Sequence, residues 1–153
     1  MDAVLDQIIF LGRITLAFFL GGLVGWEREI HGKPAGIRTY GAICLGACIF
    51  GVVSQSIPGA DSARVAAQVV SGIGFLGAGL IFHAGDSVEG LTTAAGLWCV
   101  AAVGLAISFG FYWIGGMSTA ILVGTLYVTR MSWWSKVSAK GKRRKQKTKK
   151  KES

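Results

Sequence analysis

Long apolar runs separated by short polar segments make up most of this chain. A helix that crosses the hydrocarbon core of a bilayer needs about 20 mostly apolar residues, since the core is ~30 Å thick and each helical residue rises ~1.5 Å. Segments that reach or approach this length are Ile8–Trp26, Tyr40–Ser56, Arg64–Phe82, Leu91–Ser108 and Phe111–Arg130. The pattern therefore predicts an all-α, polytopic membrane protein built as a five-helix transmembrane bundle.

The distribution of charge predicts the orientation of this bundle. Eleven of the sixteen Lys and Arg residues follow position 129, whereas the first 129 residues hold five basic and seven acidic side chains. Because Lys and Arg accumulate in cytoplasmic segments, we place the C-terminus in the cytoplasm and the N-terminus outside. The loop at 27–38 then lies in the cytoplasm, where its Arg28, Lys33 and Arg38 agree with the rule.

The basic end of the chain is predicted to be separate from the bundle. We assign residues 1–135 to the transmembrane domain and 136–153 to a cytoplasmic tail that its own repulsion keeps disordered. Such a tail attracts anionic lipids, at ~1 kcal/mol per basic residue near the surface. No aromatic residue follows Trp134, so base stacking is not encoded and no nucleic acid is expected as a partner. Lipid or nucleic-acid binding through the tail is a distant functional alternative.

Polar residues also enter the apolar runs on the predicted outer side. Arg13 lies inside the first run, and Asp61, Arg64 and Gln68 form a polar stripe where the third run begins. Charged groups in the hydrocarbon are costly and are usually paired or functional. We predict that Arg13 pairs with Asp61 and that Arg64 and Gln68 line the same cleft. The alternative is that Arg13 extends towards the lipid headgroups.

Carboxylates on the predicted cytoplasmic side form a candidate metal site. Hard cations such as Mg²⁺ prefer carboxylate and water oxygens, and two loops could bring together Glu27, Glu29, Asp86 and Glu89. In the alternative, these carboxylates pair with Arg28 and Arg38 and bind no metal. No cofactor is expected apart from this weak Mg²⁺ site.

The fourth run begins with a predicted helix cap. Thr92 or Thr93 could accept a hydrogen bond from an orphan backbone N–H at the start of the helix. Gly90, just before them, permits the turn that the chain needs there. Both threonines are therefore candidate functional polar residues.

Small residues in the third run indicate how its helix packs. In lipid, helices associate through close approach at small side chains, and one helical stripe in this run carries Ala67, Ser71, Gly74 and Ala78. This stripe predicts tight packing within the bundle or, alternatively, a face for self-association. We expect the protein to form a homo-oligomer, to bind another membrane protein complex, or both.

The sequence gives no indication of catalysis. It contains no Ser/His/Asp set, no Cys–His pair and no glycine-rich phosphate loop. Cys44 and Cys48 lie in an apolar run and are interpreted as small buried hydrophobes. We therefore do not expect an enzyme.

Three motifs resemble one known family. "GWEREIHGKPAGIRT", "DSARVAAQVVSGIGFLGAGLIF" and "VEGLTTAAGLW" occur in this order and are similar to the membrane domain of the MgtC/SapB family of bacterial inner-membrane proteins. The likeness covers about residues 8–128, and the shorter, SapB-like members are the closer comparison. The family's motif positions correspond here to Arg13, Glu27, Arg28, Glu29, Gly36, Arg38, Thr39, Asp61, Arg64, Gln68, Gly72, Gly74, Gly77, Gly90, Thr92 and Thr93.

The resemblance implies a five-helix protein of the bacterial inner membrane linked to growth at low magnesium. It also implies that members of the family resemble regulators, which act on partners such as the membrane ATP synthase, more than they resemble carriers of Mg²⁺. We therefore predict a regulator that works through intramembrane protein contacts. The main alternative is a transporter or channel for Mg²⁺ or another ion.

Overall fold

The computed structural model describes residues 2–84 and 87–128. Its elements are α1 (Asp2–Glu29), α2 (Ile37–Ser56), α3 (Ser62–Leu80), β1 (Phe82–Ala84), β2 (Ser87–Glu89), α4 (Leu91–Ser108) and α5 (Tyr112–Val128). The prediction of an all-helical fold is confirmed. The described part adds only one short β-hairpin to the five helices.

Four of the helices have the length and composition of membrane spans. They are Val4–Glu29, Ile37–Ser56, Ser62–Leu80 and Leu91–Ser108, and the apolar helix α5 is shorter, with 17 described residues. The orientation of the bundle stays a prediction. The end of the fifth predicted span at Arg130 and the basic tail at 136–153 lie outside the described residues.

Helix α4 lies at the centre of the bundle and α3 lies at its edge. Of the apolar window in each helix, 61% is buried for α4 and only 6% for α3. α4 packs against all four other helices, whereas α3 contacts α2 and α4. The core of the described bundle is thus formed mainly by α2 and α4, with smaller contributions from α1, α3 and α5.

Small residues allow the central helices to approach one another closely. A Cβ atom added at Gly21 of α1 would lie 2.6 Å from the main-chain oxygen of Tyr40 in α2. A Cβ at Gly96 of α4 would lie 2.6 Å from the Tyr40 hydroxyl, which donates a hydrogen bond to the Thr93 carbonyl at 3.2 Å. Glycine at these positions therefore sets the distance between α2 and its two neighbours, as expected where packing drives association in lipid.

Adding one methyl group at Gly21 should destabilise the bundle. Gly21→Ala forces the backbones of α1 and α2 apart and should lower the free energy of unfolding by about 1–3 kcal/mol, as overpacking does in tight cores. Gly12→Ala in the same helix is the matched control, because a Cβ there meets nothing within 4 Å. Thermal unfolding in detergent compares the two, and equal melting temperatures would contradict the close approach.

The β-hairpin between α3 and α4 was not predicted. The hydrophobic pattern extends the third helix to Phe82, but α3 ends at Leu80. β1 and β2 then pair antiparallel, with Phe82 opposite Glu89 and His83 opposite Val88. Backbone pairing satisfies hydrogen-bonding groups that a helix would otherwise use. The sequence indicates only a loop in this segment.

Candidate functional site

A polar cavity of about 750 Å³ lies at the end of the bundle where α1 and α3 finish and α4 begins. We call it the polar cavity. The end of α1 and the loop after it, the hairpin, the start of α4 and the end of α5 supply its walls, with Glu27, Arg28, His31, Lys33, Pro34, Phe82, Val88, Glu89, Gly90, Leu91, Thr92, Thr93 and Leu126. The structure thus joins the predicted cytoplasmic loop at 27–38 to the segment that precedes α4.

Glu27 and Arg28 are buried side by side in this cavity. Each residue is only 6% exposed, and Nη1 of Arg28 lies 3.5 Å from Oε2 of Glu27. Nδ1 of His31 lies 2.9 Å from Oε1 of Glu27 and also contacts the Glu27 main-chain carbonyl. Burying a carboxylate is costly unless opposite charge or hydrogen bonds compensate for the lost water. Arg28 provides that compensation here.

Three buried polar atoms in this cluster have no hydrogen-bond partner. They are both carboxylate oxygens of Glu27 and Nε of Arg28. The contacts of Glu27 with Arg28 and His31 are therefore ion-pair distances without hydrogen-bond geometry. Buried polar groups are hydrogen-bonded in the large majority of proteins, so this cluster is the part of the polar cavity best suited to bind water or a polar group.

Glu29 has a different role from Glu27. Its Oε2 accepts a hydrogen bond from the backbone N–H of Ile37 at 2.9 Å. The N-cap residue of α2 is Gly36, which offers no side-chain cap. Glu29 therefore supplies the acceptor for the first turn of α2, as an N-cap side chain usually does.

The predicted metal site is not assembled within the described residues. Glu27 and Glu89 line the polar cavity, while Glu29 caps α2 and Asp86 lies outside the described residues. Over 2–84 and 87–128, no three His, Cys, Asp or Glu side chains are arranged to hold a metal ion. Two carboxylates, one of them paired with Arg28, do not fit the oxygen-rich shell of Mg²⁺. The Mg²⁺ site stays a prediction that depends on Asp86.

The predicted threonine cap of α4 is wrong. The N-cap residue of α4 is Gly90, which has a left-handed backbone with φ 84° and no side-chain cap. Thr92 and Thr93 already lie within the first turn, so their hydroxyls are beyond the capping position. Both residues still line the polar cavity, and Thr93 is 3% exposed.

Arg38 and Thr39 lie apart from this cluster. They occupy the first turn of α2, and both are exposed. The predicted alternative in which the loop carboxylates pair with Arg28 and Arg38 is therefore supported only for Arg28 in the described part of the chain.

At the opposite end of the bundle, Arg13 binds the end of α4. Its Nη1 donates to the Ser108 carbonyl at 2.7 Å and its Nε donates to the Tyr112 hydroxyl at 2.9 Å. Its guanidinium also lies over the rings of Phe10 and Tyr112, 5.8 and 5.9 Å from their centroids. Gln55 donates to the same Ser108 carbonyl at 2.9 Å. Arg13 and Gln55 thus satisfy a carbonyl that the end of a helix leaves unpaired.

The predicted Arg13–Asp61 pair is wrong, because each group has another partner. Oδ1 of Asp61 accepts from the backbone N–H groups of Ala63 and Arg64, at 3.0 and 3.2 Å. Asp61 is therefore the N-cap of α3, where a short carboxylate satisfies orphan donors and favours the positive end of the helix.

Arg64 and Gln68 line a second cavity and not the surroundings of Arg13. This apolar groove, of about 620 Å³, lies between α2 and α3. Its walls are Ile43, Gly46, Ala47, Phe50, Arg64, Val65, Gln68, Val69, Gly72, Ile73 and Leu76. The predicted outer polar cluster is thus divided between two places in the bundle.

The small-residue stripe of α3 faces away from the bundle. Ala67, Ser71, Gly74 and Ala78 are all exposed, and a Cβ at Gly74 would meet nothing within 4 Å. The buried positions of α3 are Ile73 and Gly77. The prediction that this stripe packs within the bundle is wrong, and the alternative, a face for association, stays a prediction.

The sequence of this bundle matches one protein family. The sequence profile described as the MgtC family matches residues 14–132, which includes Glu27, Arg28, the α3 stripe and the start of α4. The chain belongs to the MgtC family. This confirms the resemblance carried by the three motifs.

Several members of the MgtC family are similar to this chain in sequence. Protein MgtC of Brucella abortus is 49% identical over 108 residues, which are 70% of this chain and 45% of that protein. The putative magnesium transporter YhiD of Escherichia coli is 42% identical over 115 residues, or 69% of this chain and 54% of that protein. Protein MgtC of Salmonella typhimurium is 43% identical over 101 residues, which are 66% of this chain and 44% of that protein. The chain spans about half the length of these curated relatives, and no solved structure matches it significantly.

Sequence reasoning did not identify Gln55, Tyr40 or His31 as parts of the polar networks of this MgtC-family protein. Gln55 carries an amide and its neighbour Ser54 carries a hydroxyl inside an apolar run. Polar side chains in such positions usually form hydrogen bonds to other helices. That signal could have indicated Gln55. His31 lies four residues after Glu27 on a helical repeat, which is the spacing at which side chains meet.

Proposed function

We propose that this chain is a multi-pass protein of the bacterial inner membrane that acts as a regulator in magnesium homeostasis. It works through contacts between α3 and a helix of another membrane protein or a second copy. The observation that supports this most is the uncovered small-residue stripe of α3, on a helix long and apolar enough to span a membrane. Small residues permit the close helix approach by which membrane proteins associate.

The interior of the bundle supports regulation better than transport. Between the polar cavity and the Arg13 network, the described helices are packed with apolar side chains. Val24, Cys44 and Val100 are each 0% exposed, and Leu97 is 1% exposed. Moving an ion through such a layer would need polar groups to replace its water. The apolar packing of the described core therefore supports the proposal of a regulator.

The link to magnesium comes from the relatives. The E. coli protein YhiD is named a putative magnesium transporter and is 42% identical to this chain over 115 residues. By that likeness, the regulator proposed here acts in magnesium homeostasis. Its cytoplasmic side would be the end with the polar cavity, since Lys33 and Arg28 follow the positive-inside rule there.

Transport of Mg²⁺ is the second candidate, because Glu27 and Glu89 face one cavity at the end of the bundle. Liposomes that contain the purified protein and a Mg²⁺-sensitive dye separate the two functions. We expect no flux above that of empty liposomes. Mg²⁺ flux that Glu27→Gln abolishes would overturn the regulator proposal, whereas flux unchanged by Glu27→Gln would indicate leakage through the preparation.

Enlarging one residue of the stripe should remove the proposed protein contact. Gly74→Leu fills the stripe at an exposed position where a Cβ meets nothing within 4 Å, so folding should be unchanged while association through α3 is blocked. Cross-linking in native membranes followed by mass spectrometry identifies the peptides of partner proteins that lie next to the chain. We expect these peptides with the parent chain and with Gly12→Leu, which is the matched control, but not with Gly74→Leu. Identical cross-links in all three proteins would contradict a contact through α3.

A further inference from the structure

The apolar groove between α2 and α3 has one charged end. Arg64 lies at this end, in the first turn of α3, and Gln68 follows one turn later. The other walls of the groove are apolar or glycine. Over the described residues, Arg64 forms neither an ion pair nor a side-chain hydrogen bond, and the nearby carboxylate of Asp61 is bound to the backbone of α3.

The length of the groove matches one leaflet of a bilayer. From Arg64 to Leu76 the helix rises by about 18 Å, at ~1.5 Å per residue. The hydrocarbon core is ~30 Å thick, so the acyl chains of one leaflet extend for about 15 Å. Because Arg64 lies near the start of a helix that spans this core, its guanidinium is at the level of the headgroups. The groove therefore begins at the headgroups and ends near the middle of the membrane.

Glycine gives the groove its width. Gly46 on α2 and Gly72 on α3 line it, and a Cβ at either position would meet nothing within 4 Å. The groove is thus open at these two glycines, and the buried residues Ala47 and Ile73 form its floor. The surface of the groove is apolar along its length and cationic at the end where Arg64 lies.

We propose that this groove holds one anionic phospholipid, with an acyl chain along Gly46 and Gly72 and the phosphate on Arg64. Arginine binds phosphate oxygens through two parallel hydrogen bonds, and Gln68 offers an additional amide donor beside it. The site is distinct from the attraction of lipid to the basic tail, because it lies at the start of α3. It is also separate from the α3 stripe, since Gly72 and Gly74 are about 200° apart around the helix.

Native mass spectrometry of the full-length protein tests this site. The protein is stripped of lipid in detergent and titrated with phosphatidylglycerol or phosphatidylethanolamine carrying the same acyl chains. We expect one tightly bound phosphatidylglycerol for each protomer. Arg64→Gln should weaken this binding about fivefold, the effect of one basic residue at a membrane surface, and should leave phosphatidylethanolamine unchanged.

Filling the groove should remove both lipids. Gly72→Leu and, from the opposite wall, Gly46→Leu should each abolish the tightly bound lipid, whereas Gly74→Leu on the other side of α3 should retain it. The basic tail contributes equally to all these proteins, so differences between them report the groove. Wild-type lipid binding by Arg64→Gln, or by both Gly72→Leu and Gly46→Leu, would overturn the proposal. If filling the groove removes dimers and leaves lipid binding unchanged, the groove holds a second copy of the chain. That result would also overturn the lipid proposal.

Discussion

Replacing Arg28 with methionine should cost about 3–5 kcal/mol of the free energy of unfolding, because it leaves the buried carboxylate of Glu27 without its charge partner. The side chains of Arg28 and Glu27 are only 7% and 8% exposed and lie 3.5 Å apart. His31 lies beside the same carboxylate, but it carries a full charge only when protonated. Chemical unfolding in detergent micelles measures the loss.

Two further variants separate lost charge pairing from other effects of Arg28→Met. Adding Glu27→Gln to it removes the unpaired charge and should restore most of the stability, since a buried pair replaced as a unit is often nearly neutral. Arg38→Met is the matched control, because Arg38 is exposed in the first turn of α2, and its effect should stay within about 0.5 kcal/mol. A double variant as unstable as Arg28→Met would show that the ion pair is not the cause.

Gly90→Ala should destabilise the protein by a comparable amount, about 2–6 kcal/mol, from two effects that add. Gly90 has φ 84°, a conformation that costs other residues about 1–3 kcal/mol. A Cβ there would also lie 2.8 Å from the carbonyl carbon of Leu80, so the end of α3 and the start of α4 would have to move apart. A lower melting temperature and faster hydrogen exchange in the hairpin are the expected measurements.

Gly59→Ala isolates the conformational part of that effect. Gly59 also has a positive φ, 74°, but a Cβ there meets nothing within 4 Å. Its substitution should cost only the backbone strain, about 1–3 kcal/mol. If the two alanine variants melt at the same temperature, the contact between Gly90 and Leu80 has no energetic consequence.

The helices were predictable because their signal is long and repetitive. Runs of apolar residues near the length of a bilayer leave few alternatives to a helix, and the predicted fourth span matches α4. The hairpin at 82–89 was missed because each strand has only three residues. Three residues carry too little alternation to be distinguished from a loop.

The candidate sites were only partly predictable, since helix rotation decides them. Glu27 and Glu89 do line one cavity, as proximity of the two loops implied. Arg13 was assigned to Asp61 because both belong to the same end of the bundle, but the pairing depends on which helices are neighbours. α1 does not pack closely against the start of α3, and Arg13 meets α4 and α5 instead. Similarly, the stripe of small residues in α3 is visible in the sequence, but whether it faces the bundle or the outside depends on the rotation of the helix.

The edge position of α3 has a consequence for how such proteins diversify. Since only 6% of its apolar window is buried, substitutions at the exposed positions of α3 leave the packing of the other four helices unchanged. Selection can therefore alter the surface of this helix while the protomer keeps its fold and stability. On the proposal of a contact through α3, proteins with the same bundle could acquire different membrane neighbours through changes on the exposed face of this one helix.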